Sequence, residues 1–153
     1  MYIIKKYTGG EFMSMLDFAH HIIAVANEND KKITNLQLQK VMYFSLKDAL
    51  KHNTFTKEQT EYIYDVPFEV WRYGPVVRKV YELYKPNGAS PIVENEHEID
   101  IFKPINKSIL KYLDEDPFKL VRDSHEEKFW IDNEKYISGW RSLISYGVDE
   151  VMG

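Results

Sequence analysis

The chain has no cysteine, only seven glycines and six prolines in 153 residues, and no long apolar run. Each scarcity excludes something. Without thiols there is neither a disulfide framework nor a zinc–thiolate site, and a reducing compartment fits. The few glycines spell neither G-x-G-x-x-G nor G-x-x-x-x-G-K-[ST], so a phosphate-cradling loop has no support. H-E-x-x-H and G-x-S-x-G are missing as well. The apolar runs fall far short of the ~20 residues a membrane helix needs. Met1-Tyr2-Ile3-Ile4-Lys5-Lys6 lacks the apolar stretch and small-residue cleavage site of a secretion signal. These absences predict a soluble, cytoplasmic protein with no membrane association and no cofactor or metal site.

What is present is material for a core. Hydrophobic residues make up 44% and aromatics 14%, enough to argue against disorder. A chain of this length is expected to form one domain, 1–153, burying roughly two-thirds of its unfolded surface. The net charge of −4 hides an asymmetry. Residues 1–93 carry 12 Lys/Arg against 10 Asp/Glu, whereas 94–153 carry 8 against 14. No basic stripe of the kind nucleic acid requires is visible, and Lys31-Lys32 with Arg78-Lys79 make a poor substitute. The acidic half could face a basic partner, but a solvated acidic surface is the better account of most of those residues.

The most informative stretch is Trp71-Arg72-Tyr73-Gly74-Pro75-Val76-Val77. Gly74 and Pro75 suit the cap and first position of a helix. Val76, Val77, Val80, Leu83 and Tyr84 extend that helix to Lys85, where Pro86-Asn87-Gly88 stop it. Val66, Phe68 and Val70 alternate ahead of it as a short strand, with Pro67 favouring a sheet edge.

Elsewhere the signals are local. Residues 1–12 form an extended lead-in broken at Gly9-Gly10. Ser14 and Asp17 cap a helix whose apolar face is Met15, Phe18, Ala19, Ile22 and Ala26. Its His20 and His21 are adjacent, point about 100° apart and cannot chelate as an i, i+4 pair would. Thr34 and Gln37 form a capping box for a second helix, with Leu38, Val41, Met42, Ser45, Leu46 and Ala49 on its face. Phe55 and Thr56-Lys57-Glu58-Gln59 lead into a polar connection or short turn. Short strands are expected at Ser90–Val93 and near Ile99 and Ile101, a helical piece at 108–113, and an Asp116-Pro117 helix start. Residues 134–151 read as a weaker helix interrupted by Gly139 and Gly147.

Catalytic arrangements are weak. Ser124-His125-Glu126 has the letters of a hydrolytic triad, but sequence neighbours cannot supply its geometry. Glu94, Glu96, Glu98 and Asp100 lack the spacing and glycine of a calcium loop. That leaves Lys40, Tyr43, Trp71, Arg72, Tyr73, His125 and Trp130. Buried, such groups would form a polar network joining the second helix, the Gly-Pro stretch and the Ser-His segment. On a surface, the same residue types would be binding hot spots.

Three motifs, in order, resemble a known family. Leu38-Gln39-Lys40-Val41-Met42-Tyr43-Phe44 resembles an L-x-K-L-L-Y-F helix. Val70 to Val77 with Tyr81 is similar to A-W-x-x-G-P-V-x-x-x-x-Y. Leu120-Val121-Arg122-Asp123-Ser124-His125, followed by Trp130, resembles L-x-x-x-[ST]-H…W. The family is the Panacea antitoxin domain, also described as SocA-like or phage-associated, and the resemblance covers roughly residues 14–140. Val70 departs from it, standing where a small residue is usual.

The resemblance implies a mainly helical α+β domain of about five to six helices with a small antiparallel β element and no enzymatic activity. It implies a bacterial or prophage toxin–antitoxin setting in which a cognate protein toxin is neutralised by direct binding. One branch instead acts as a proteolytic adaptor for a ClpXP-type protease. It also adds Gly74, Pro75 and Tyr81 to the candidate structural or partner-binding residues. Loops 53–65 and 87–105 would carry specificity.

Overall fold

The computed structural model describes residues 13–153, so the expected lead-in over 1–12 lies outside the described part. It is mainly helical with one small antiparallel hairpin, in keeping with the α+β expectation. The first helix, α1 (Met15–Glu28), starts where Ser14 Oγ accepts the Asp17 amide at 3.0 Å. Its inward side carries Met15, Phe18, Ala19, Ile22, Ile23 and Ala26, all buried. Asp30, in the left-handed region at φ +55°, turns the chain back.

The second helix, α2 (Asn35–Lys51), has both halves of the Thr34–Gln37 capping box in place. It is buried on nearly every side rather than along one face, because α1, α5 (Asn106–Leu113), α6 (Pro117–His125), α8 (Val148–Met152) and the hairpin all pack on it. That position takes Asn35, Gln39, Lys40 and Ser45 into the interior with it. Polar groups taken there must find partners, and their partners define the site below. Asp116 caps α6 as expected, accepting the Phe118 amide at 3.0 Å.

Several expectations are corrected. Thr56–Gln59 is a second full capping box opening α3 (Lys57–Ile63), not a polar connection or short turn. Gly74-Pro75 does not start a helix. Phe68–Trp71 (β1) pairs with Gly74–Val77 (β2) in register Phe68↔Val77 to Trp71↔Gly74, and Arg72-Tyr73 is the turn. The helix α4 (Arg78–Tyr84) begins only after β2. Pro75 is tolerated because its pair, Val70↔Pro75, places no N–H across the ladder. The Val70 amide points the other way, to Ile144 O at 2.9 Å.

The same outward edge of β1 explains why 134–151 is not one helix. After the short turn Glu134–Tyr136, the chain runs extended beside β1. Trp140 O accepts from Arg72 N, and Tyr146 N donates to Phe68 O. Only 148–152 is helical at the end, as α8.

The strands expected at 90–93 and 99–101 do not form. The Ile92 amide bonds Ile33 O, a single loop carbonyl that offers no edge to extend. Asp100–Ile105 is 3₁₀-helical, which drops Phe102 between Phe18 and Phe55. With α7 (Lys128–Asn133), the described residues hold eight α-helices, above the expected five to six because α3, α7 and α8 are short.

Candidate functional site, a clamped hairpin beside an aromatic groove

The three motif segments meet at the hairpin turn, and the meeting is made mostly with backbone oxygens. Lys40, fully buried on α2, donates from Nζ to Pro75 O at 2.6 Å. Trp130 on α7 donates from Nε1 to Trp71 O at 2.9 Å. His125 Nε2 lies 2.8 Å from Arg72 O. A carbonyl can only accept, so this bond selects the Nε2–H tautomer. Ser142 Oγ donates to Val70 O at 2.7 Å. One short hairpin is thus held by side chains from four places in the chain.

Gly74 shows how close the approach is. Its φ is +99°, and a Cβ built there would lie 2.5 Å from Ser124 Oγ and 3.0 Å from Lys40 Cε. Only glycine satisfies both the backbone angle and the space. Ser124 Oγ itself donates to Val121 O at 2.7 Å, while His125 bonds Arg72 O. The neighbouring Ser and His therefore face different partners, not each other. Behind them, Gln39 Oε1 accepts the Val77 amide at 2.9 Å, and Asn35 Nδ2 reaches Tyr81 O at 3.1 Å.

Electrostatics follows from burial. Among the described residues the Lys40 ammonium has no carboxylate partner, and desolvation pushes it down to about 7. Burial likewise lowers the His125 imidazole, partly opposed by its bond to Arg72 O. Its ring stacks on Trp130 with centroids 3.8 Å apart.

The remaining sequence candidates divide. Tyr43 belongs to the core: its ring meets Phe44, Phe68 and Tyr146, and its hydroxyl donates to Glu127. Burial raises that phenol well above its ordinary value. Trp71 is only 6% exposed, with its indole N–H on Glu69 Oε1 at 2.9 Å and Tyr81 edge-on at 5.0 Å. The Arg78 and Arg141 guanidinium groups sit over its ring, 5.4 and 5.5 Å from the centroid. Arg72 extends outward, its Nε donating to Gly139 O at 2.7 Å. Tyr73, at the turn, is 44% exposed and packs against Trp140 at 5.4 Å.

Beside this clamp lies an open groove of about 520 Å³. Trp71, Val76 and Tyr81 line it together with Tyr73, Phe118 and Trp140. Phe118 is 61% exposed and Trp140 63%. Neither residue stands out in the sequence, because a lone aromatic after Pro117 or Gly139 carries no periodic signal. His21, for which packing or solvent exposure is expected over metal binding, has a structural place whose partners its own helix does not reveal. It is buried, with Nδ1 accepting the Ile99 amide at 2.8 Å and Nε2 at 2.7 Å from Asn106 Oδ1. Among the described residues, no cluster of His, Asp or Glu could hold a metal ion, and no helix is long and apolar enough to cross a membrane.

Fold and site together define a small α+β domain that fixes a hairpin and presents aromatic surface next to it. Over 87 residues the chain is 30% identical to the protein named Antitoxin SocA from Caulobacter vibrioides (strain NA1000 / CB15N). The matched stretch is 57% of this chain and 43% of that protein, so the chain spans less than half the length of the curated relative it matches. No family model matches the chain, and no solved structure matches it.

Proposed function

We propose that this chain is an antitoxin-type protein that neutralises a protein toxin by direct, stoichiometric contact in the cytoplasm, without catalysis of its own. The observation that carries the reading is the similarity to Antitoxin SocA over more than half of this chain. The site agrees with it in kind. A rigid hairpin beside exposed Tyr73, Phe118 and Trp140 is the sort of surface on which a protein partner finds hot spots. His125 is spent on the hairpin clamp and the Ser124 hydroxyl on the Val121 carbonyl of its own helix, which argues for a recognition role over hydrolysis.

The test is co-expression with the product of the neighbouring gene, read by growth and by pull-down. Growth arrest by the neighbour alone, relieved by this chain with both proteins recovered as a complex, is the expected result. Recovery of growth with disappearance of the toxin would replace masking by delivery to a ClpXP-type protease. A harmless neighbour that never binds would overturn the antitoxin reading altogether.

A further inference from the structure

We infer that the groove between Tyr73, Phe118 and Trp140 seats an extended polypeptide segment of the partner carrying a large apolar side chain next to a carboxylate. The inference rests on the antitoxin reading for the partner's identity. Three observations lead to it.

The first is the concentration of exposed aromatics. Tyr73, Phe118 and Trp140 come from the hairpin turn, α6 and the extended C-terminal segment, yet they border one cavity. Exposed apolar surface gathered this way marks an interaction site more than scattered residues do.

The second is the state of the polar groups in the walls. Small-molecule sites orient their ligand with a few placed polar groups. Here the side-chain amides of the wall and one indole are engaged within the protein. The Asn35 amide reaches Tyr81 O, Gln37 closes the Thr34 cap, and Gln39 joins Asn35 to the Val77 amide. The Trp71 indole N–H is held by Glu69. What is left is mostly apolar wall with the Tyr73 and Tyr81 hydroxyls and the Trp140 indole N–H, suited to an apolar side chain whose own polypeptide backbone meets those tips.

The third is charge. Among the described residues, Lys85 is the one charged residue in the lining. Nearby carboxylates are already engaged: Glu82 faces Arg141 at 3.5 Å, and Asp116 caps its own helix. The amino end of the 17-residue α2, Thr34 to Gln37, lines the groove too, and its dipole has the same sign as Lys85. An apolar anchor flanked by Asp or Glu is the complementary ligand, and one flanked by Lys or Arg is repelled.

The experiment pans a phage-displayed library of random dodecamers on the full chain and measures the enriched peptide by fluorescence anisotropy. The proteins compared are wild type, Phe118→Asp, Trp140→Ala, Lys85→Glu and, as a control outside the lining, Leu143→Asp. Expected are peptides pairing Phe, Trp, Leu or Met with Asp or Glu. Phe118→Asp should weaken binding at least tenfold and Lys85→Glu several-fold, with Leu143→Asp unchanged. Replacing the peptide's carboxylate by Lys should restore binding to Lys85→Glu alone. Lack of enrichment, a basic consensus, or binding indifferent to both Phe118→Asp and Trp140→Ala in proteins that melt as wild type does would overturn it. In the co-expression assay the two readings separate. Rescue by wild type and by both aromatic variants alike removes the groove but leaves the antitoxin. Wild type that captures no toxin, while the panned peptides still bind in the groove, does the reverse.

Discussion

The inner and outer sides of the hairpin are built on opposite terms. Inside, Lys40 and Ser124 have no solvent contact and Gly74 is buried, and the carbonyls of Trp71, Arg72 and Pro75 are taken by side chains from elsewhere. Outside, Tyr73, Phe118 and Trp140 keep large apolar surfaces in water with few internal partners. The difference separates residues that position from residues that touch. Substitutions inside should cost stability first and binding only as a consequence. Those outside should do the opposite.

Gly74→Ala should strain the contrast most. Its Cβ needs space already held by Ser124 Oγ, at a φ that alanine avoids. Strain and overpacking together make a loss of about 3 kcal/mol or more reasonable, read as a fall in the denaturation midpoint. Recovery of stability in a Gly74→Ala, Ser124→Ala double variant would identify the hydroxyl as the obstacle.

Lys40→Met should come next, and pH sharpens it. Removing the ammonium leaves Pro75 O unpaired, a penalty of about 1–3 kcal/mol, while also removing a costly buried charge. Because the folded ammonium titrates near 7 and the unfolded one near ~10.4, the unfolded chain binds more protons between those values. Wild-type stability should therefore rise with pH across that window. Lys40→Met should lose that rise, so the two denaturation profiles diverge above neutrality. Parallel profiles would mean that Lys40 stays charged in the fold.

His125→Gln should cost less, about 1 kcal/mol, since the glutamine amide can still donate to Arg72 O but cannot stack on Trp130. The imidazole is lowered in the fold, so its stabilisation is present above the unfolded value of ~6.5 and fades as the solution is acidified through it. Urea titrations near neutrality and in mild acid should show a smaller acid-induced loss in the variant. Smallest of all is Trp140→Ala, expected within about 0.5 kcal/mol of wild type in the same titration, as exposed substitutions usually are. A large loss there would mean that the ring holds the fold and would erase the distinction drawn here.

How much of this could be read beforehand depends on distance along the chain. The caps at Ser14, Thr34 and Asp116 were legible because donor and acceptor lie within one turn. So was the membership of Lys40, Trp71, His125 and Trp130 in one set, because their motifs stood in a recognisable order. Gly74-Pro75 was misread because the pair suits a helix start and a strand after a tight turn equally well. What decides between them is the register with Phe68–Trp71 and the approach of Ser124 from far along the chain. Residues 137–147 failed for the same reason: their partner, the outer edge of β1, is not written in their own periodicity. Thr56 was a different kind of miss, a capping box as complete as the one at Thr34 but without a long apolar face behind it. Phe118 and Trp140 gain meaning only when the groove assembles.

Some of the hairpin's amides are answered from outside it, by the C-terminal segment and by α2. Arg72 N donates to Trp140 O, Val70 N to Ile144 O, and Val77 N to the Gln39 side chain on α2. Deuterium uptake at these three positions should then time separate events. The first two report the lifting of the C-terminal segment, and the third reports the parting of α2 from β2. Two neighbouring strands thus serve as clocks for two distant openings.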